Sequence, residues 1–344
     1  MRATLLQDDG TITVDEVPVP DLSEPTDALV RVTHSAVCGS DLHLLHGFAR
    51  RPGGRRMGHE AVGVVEAVGA DVVSVAVGDV VIVPFSWSDG TCSFCREGTT
   101  TSCVRGGDFL MAPSALQAEL ARVPEADGTL VVVPADVEEE MMPSLLTLAD
   151  VYLTGHHAVV AGGAGPGSTV VVIGDGAVGL STVLAARHRG AERIVLLGRH
   201  ADRTDLGVEF GATDVVPGRG DDAVDAVREI TRGEGAHVVV DAVGELATYA
   251  TALDTVRPGG VVSRVGVPRY DDAPLGLAPV FRRNVTVTGG VAPVRAYVDE
   301  VLPRVLDGTI RPGRVFDREL PLSEAAEAYR LMDSREALKV LLRP

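Results

Sequence analysis

Three of the four cysteines of this 344-residue chain, Cys92, Cys95 and Cys103, stand together in SDGTCSFCREGTTTSC. In a reducing compartment such a cluster reads as metal ligands or reactive thiols rather than as a disulfide framework. Structural zinc sites are usually four-coordinate, so this stretch supplies three ligands and leaves one to be found. The remaining cysteine, Cys38, lies apart in VCGSDLHLLHG, and His59 and Glu60 follow in GHEAVG. Asp150 interrupts the apolar helical run SLLTLADVYLTG, where an unpaired carboxylate would be costly to bury. A metal, a cap or a surface turn would each satisfy it. One thiolate, one imidazole and one carboxylate make a three-ligand zinc site with a position open to substrate or water. None of these stretches suffices by itself, because buried cysteines and satisfied core histidines are common.

A second constellation is the turn Gly174-Asp175-Gly176-Ala177-Val178-Gly179, which follows the strand-like TVVVI and precedes a helical stretch. In that context a G-x-G-x-x-G reads as a dinucleotide site, with an ordinary βα turn as the plain alternative. The first glycine makes the turn, the second admits the pyrophosphate, and the third lets helix and strand pack closely. Amides at the helix N-terminus, those of Ala177 and Val178 among them, hold the phosphate. An NAD site normally carries an acid at the end of the second strand; here RIVLL runs into Gly198, Arg199 and His200, with Arg203 beyond. Glycine leaves room for a 2′-phosphate and a guanidinium pairs with it, so NADP(H) is expected over NAD(H). The plain alternative is that Arg199 is a solvated surface residue.

These residues need two kinds of scaffold. From Met1 to about Pro134, short β-type runs broken by Gly and Pro indicate a barrel-like β domain. From about Ser168, strands alternate with helices, which implies right-handed βαβ units and a parallel sheet. The segment PSLLTLADVYLTGHHAVVAGG joins them as a helical run, VRAYVDEVLPRVL forms another helix, and the tail returns to the first domain. The expected division is residues 1–153 with 295–344 against 154–294. Thirty-nine glycines with only 4% aromatics suit many short strands and tight turns, hence an α/β fold.

A net charge of -17 argues against nucleic acid or an anionic membrane as the main partner. A small molecule is expected instead. With no signal pattern and no apolar run long enough to span a bilayer, the expected location is the cytoplasm.

The stretches GHEAVGVVEAVG, CGSDLH and GDVV, together with the glycine turn, make the whole chain resemble the zinc-dependent medium-chain alcohol dehydrogenases. The pattern G-H-E-x-x-G-x5-G from Gly58 to Gly69 is the most specific part. That resemblance implies a GroES-like β-barrel catalytic domain followed by a Rossmann domain, with the zinc in the cleft between them. It implies that Cys38, His59 and Asp150 ligate the catalytic zinc, with Glu60 able to enter the shell. As a Lewis acid, that zinc would lower the pKa of a substrate alcohol so that hydride can pass to nicotinamide. Ser40 and His43 match the proton-relay positions, against the bland readings of a turn serine and a surface histidine. Thr154 matches a residue near the nicotinamide, and Lys339 a basic residue reaching the cofactor phosphates; a hydroxyl satisfied within its helix and a solvated tail lysine are the alternatives.

Relatives with a structural zinc show C-x2-C-x2-C-x7-C, and placing Cys92, Cys95 and Cys103 on the last three positions puts Asp89 on the first. A carboxylate oxygen can ligate zinc, so two zinc ions per chain are expected, one in each set. The expected activity is hydride transfer between NADP(H) and a small alcohol, aldehyde or ketone. The competing readings are an NAD-linked polyol or sugar dehydrogenase and a non-catalytic binding protein that retains the fold. The resemblance also implies a homodimer or homotetramer.

Overall fold

The computed structural model describes residues 1–47, 54–112, 115–268 and 276–344. The chain forms two compact units, Met1–Asp150 with Pro293–Pro344, and Val151–Ala292. The division thus falls three residues before the expected 153/154 boundary and two before 294/295. The physical reason lies in whole elements: helix Val151–Ala161 packs as one body in the second unit, and helix Val294–Leu306 as one body in the first. Within the joining segment, two helices, Met142–Thr147 and Val151–Ala161, replace the single expected run. Both are buried on most sides, so apolar periodicity runs through the break without showing it.

In the first unit a seven-stranded sheet runs in the order Val131–Val133, Val80–Val83, Ala61–Val68, Ala28–Ala36, Val340–Arg343, Arg318–Pro321, with Leu120–Val123 also pairing to Ala28–Ala36. Alternation along Ala28–Ala36 buries Val30 and Val32 and leaves Arg31 outside, paired with Glu66 at 2.8 Å. Val65, Val81, Val83, Phe109 and Leu116 complete that core. The C-terminal strand enters antiparallel to Ala28–Ala36 with Leu341 opposite Ala36, so the tail does return to the first unit. Trp87 and Phe109 meet edge to face at 5.2 Å, and a Cβ on Gly107 would lie 2.2 Å from the Trp87 ring, so that aromatic packs, partly buried, against the core.

The second unit is a six-stranded, all-parallel sheet in the order Asp214–Val216, Arg193–Leu197, Thr169–Ile173, Ala236–Asp241, Val256–Arg264, Thr286–Gly289. That order, reading outward on both sides of the first strand, is the doubly wound dinucleotide-binding topology. Strands buried on both faces need continuous apolar runs, which TVVVI and RIVLL supply.

Candidate metal and cofactor sites

Three separate segments bring the first metal-capable set together inside the first unit. Strand Ala28–Ala36 leads through Val37 to Cys38, which caps the helix Gly39–Leu45. His59 and Glu60 precede strand Ala61–Val68, after a Gly58 held at φ +94°. A side chain at Gly58 would lie 2.4–2.6 Å from Gln117, so this glycine is fixed by close backbone approach. Asp150 ends the unit. One ligand atom from each of Cys38, His59, Glu60 and Asp150 lies within 4.8 Å of every other, and all four residues are buried. Cys38 Sγ is 3.4 Å and His59 Nε2 3.3 Å from Asp150 Oδ2. Ligands at zinc bond lengths of about 2.0–2.3 Å in a tetrahedron stand roughly 3.3–3.8 Å apart, so these residues fit that ion.

The surroundings fit it as well. Burial pushes the Cys38 thiol and the Glu60 carboxyl upward, and Glu60 Oε2 has no hydrogen-bond partner among the described residues. A divalent cation is what holds such a set deprotonated.

Two residues behind the ligands escaped the sequence reading. Asp41 Oδ1 lies 3.2 Å from His59 Nδ1, while its Oδ2 accepts the Cys38 amide at 2.9 Å. A carboxylate on Nδ1 fixes the ring and leaves Nε2 as the ligand atom. Gln117 extends the chain, donating to Asp41 Oδ2 at 3.4 Å and accepting from the Tyr329 hydroxyl at 3.1 Å. The proximity of Asp41 to Cys38 in CGSDLH was the available signal. Ser40 Oγ stands 3.2 Å from His59 Nε2, and His43, three residues along the same short helix, is half-buried.

Lys339 is not where the sequence placed it. Its ammonium is fully buried in the first unit, 2.7 Å from Glu60 Oε1 and 3.2 Å from the Val37 carbonyl. Burial alone would lower its pKa; Glu60 and Cys38 outweigh that and raise it, so the ammonium stays charged. A cation already buried in such a pair is unavailable to a cofactor phosphate.

The second set, Asp89, Cys92, Cys95 and Cys103, likewise has ligand atoms within 4.8 Å of one another. A single helical turn, Ser93–Arg96, sets Cys92 and Cys95 three residues apart with sulfurs 3.5 Å from each other. The Asp89 amide faces Cys103 Sγ at 3.2 Å. Burial opposes ionisation of Asp89, but the amides of Cys92 and Thr91, at 2.9 and 2.7 Å, hold its carboxyl well below the usual range. Four ligand groups with all positions taken leave no place for a substrate.

In the second unit the glycine turn joins strand Thr169–Ile173 to helix Ala177–His188. A Cβ on Gly179 would sit 1.9 Å from the Gly174 carbonyl, Gly174 has φ +112°, and nothing lies within 4 Å of a Cβ built on Gly176. The turn is thus closed where helix meets strand and open where a pyrophosphate approaches, which fits a dinucleotide. Ala177 and Val178 open the helix. Thr154 is buried on helix Val151–Ala161.

Gly198 corrects an expectation. Its missing side chain does not leave room for a ligand: a Cβ there would lie 2.7 Å from Asp175 Cβ and 3.0 Å from Thr204 Cγ2. Asp175, read only as a variable position of the turn, is a third residue missed. Its Oδ2 accepts the Arg199 amide at 2.8 Å and the His200 amide at 3.0 Å, and meets His200 Nδ1 at 2.8 Å. Arg199 itself is exposed, and Arg203 follows on helix Ala201–Phe210.

Comparison with known proteins agrees with this architecture. Residues 24–135 match the family described as "Alcohol dehydrogenase GroES-like domain" and residues 177–307 the one described as "Zinc-binding dehydrogenase". Zinc-type alcohol dehydrogenase B of Aspergillus flavus is 33% identical, over 100% of this chain and 81% of its own. An NADP-dependent isopropanol dehydrogenase of Entamoeba histolytica is 31% identical, over 95% of this chain and 91% of its own. Among solved structures, alcohol dehydrogenase TADH from Thermus sp. ATN1 is 38% identical with a TM-score of 0.90, covering 100% of this chain and 99% of that one. No helix among the described residues is long and apolar enough to cross a membrane.

Proposed function

The chain belongs to the zinc-dependent medium-chain alcohol dehydrogenases, and from that premise we propose that it is an NADP(H)-preferring member with two zinc sites. It is a zinc oxidoreductase acting on alcohols; the catalytic ion is assigned to Cys38, His59 and Asp150, with Glu60 at its edge. The observation that carries this reading is the buried convergence of those four residues with Asp41 behind His59. When bound, zinc supplies Lewis acidity at the substrate oxygen.

The chain's own residues do the rest. Asp41 keeps a proton on His59 Nδ1 and thereby keeps Nε2 a lone-pair donor. Ser40 holds a hydroxyl at the ligand cluster, and His43, three residues further along Gly39–Leu45, carries an imidazole that can pass the proton outward. Lys339, itself held by the Val37 carbonyl, fixes Glu60 at Oε1, which stands 3.8 Å from His59 Nε2, and Oε2 keeps no hydrogen-bond partner among the described residues.

Asp89, Cys92, Cys95 and Cys103 are assigned to a structural zinc. Asp89→Ala should lower the zinc content from two ions per chain to one and make the segment around residues 89–103 protease-sensitive, whereas Asp89→Cys should keep both ions. Two ions retained in Asp89→Ala would remove the aspartate from the shell.

The cofactor reading rests on Arg199, His200 and Arg203, the basic residues that follow the second strand. Kinetics with secondary alcohols, aldehydes, ketones and polyols, each with both cofactors, test it. NADPH should be favoured over NADH, and Arg199→Ala should narrow the ratio by about tenfold to a hundredfold, the worth of hydrogen bonds to a charged group. Equal or better use of NADH by the unmodified protein would sink this reading.

A further inference from the structure

We propose that Asp175, a variable position of the glycine turn, is the positioning residue that builds the site for the cofactor's 2′-phosphate. The inference rests on the NADP(H) reading above. A carboxylate beside an anion site can act in two opposite ways. It can accept the ribose hydroxyls itself, standing in for the acid absent from the end of strand Arg193–Leu197, or it can hold the groups that bind the phosphate.

The geometry favours the second. One oxygen, Oδ2, is taken up by three N–H groups at 2.8–3.0 Å, all from Arg199 and His200. Asp175 is only 8% exposed, so these are buried, charge-assisted bonds, each about twice as strong as a neutral one. The side chain also fills the space over Gly198, where a Cβ would lie 2.7 Å from Asp175 Cβ. Glycine at 198 is therefore what lets the loop settle onto the carboxylate. The two residues whose amides Asp175 pins are the two whose basic side chains follow the strand. With His200 Nδ1 donating to Asp175, Nε2 is the ring atom left to face a ligand. The lowered pKa of Asp175, opposed by burial but favoured by the His200 and Arg199 donors, agrees with a permanently ionised anchor.

The test uses fragments that need neither zinc nor catalysis. Binding of 2′,5′-ADP and of 5′-AMP is measured calorimetrically on the full chain, its Asp175→Ala variant and its Asp175→Asn variant. The unmodified protein should favour 2′,5′-ADP, and preference for 5′-AMP would overturn the cofactor reading and this inference with it. Given that preference, Asp175→Ala should weaken 2′,5′-ADP by about tenfold or more and 5′-AMP by less than threefold, with Asp175→Asn intermediate because an amide oxygen still accepts N–H bonds. Tighter 2′,5′-ADP binding in either variant would mark the carboxylate as repulsive and overturn the proposal. An equal loss on both ligands, as general loosening of the turn would give, overturns it too. Should the alanine variant not fold, the asparagine variant is judged by the same ratio.

Discussion

Cys38→Ala is expected to remove one of two zinc ions per chain and to lower kcat/KM for alcohol oxidation by about a thousandfold or more, with the fold retained. Cys38, His59 and Asp150 come from three segments, and Asp150 lies 112 residues from Cys38 and 91 from His59 in sequence. Fixed by a strand end, a glycine-tight turn and a helix junction, they form a preorganised set, so losing one ligand of three costs more than one bond. A Lewis acid contributes several kcal/mol of charge stabilisation, and about 4 kcal/mol corresponds to a thousandfold in rate. Cys38 caps a short helix through its backbone, which alanine keeps, so the fold has little reason to fail. Metal analysis and steady-state kinetics on the same preparation check this. Near-normal turnover with a single bound ion would break the assignment of the catalytic zinc to this set.

What the sequence made legible was whatever chemistry sits close together along the chain. The cysteine cluster, the GHE stretch and the glycine turn are local patterns whose spacing is itself the signal, and the strand-turn-helix rhythm of the second unit follows from continuous apolar runs. Asp89 became visible only through the resemblance, because one aspartate ahead of three cysteines has no meaning by itself. Long-range partners were illegible. Lys339 in ALKVLL reads as a basic residue for the cofactor phosphates or as a tail lysine; its partner Glu60 is 279 residues away, and only the antiparallel seating of Leu341 against Ala36 brings them together. Asp41 reads as an ordinary first-turn acid until His59 is placed against it. Gly198 is the instructive case: a glycine in sequence announces space but not what fills it, and here a side chain of the protein does.

The second large effect is expected from Lys339→Met, which should destabilise the first unit by about 3–5 kcal/mol in chelator-treated protein and by clearly less when zinc is bound. Breaking a buried ion pair leaves the surviving charge without compensation, and here the survivor is Glu60, fully buried and with one oxygen lacking a partner among the described residues. The ammonium donates to Glu60 at 2.7 Å and to the Val37 carbonyl at 3.2 Å, so the variant also removes the donor from the carbonyl that precedes Cys38. A dication at the neighbouring ligands would supply part of the missing positive charge, which is why the loss should depend on metal. Thermal unfolding is the measurement, with a shift on the order of 10 °C expected for a unit of this size without metal. The double variant Lys339→Met, Glu60→Gln should recover much of that loss, because it removes both charges together. If Lys339→Met instead melts the same with and without zinc, the ion does not sit within reach of Glu60. If the double variant recovers nothing, the lysine acts through packing of its aliphatic stem rather than through its charge.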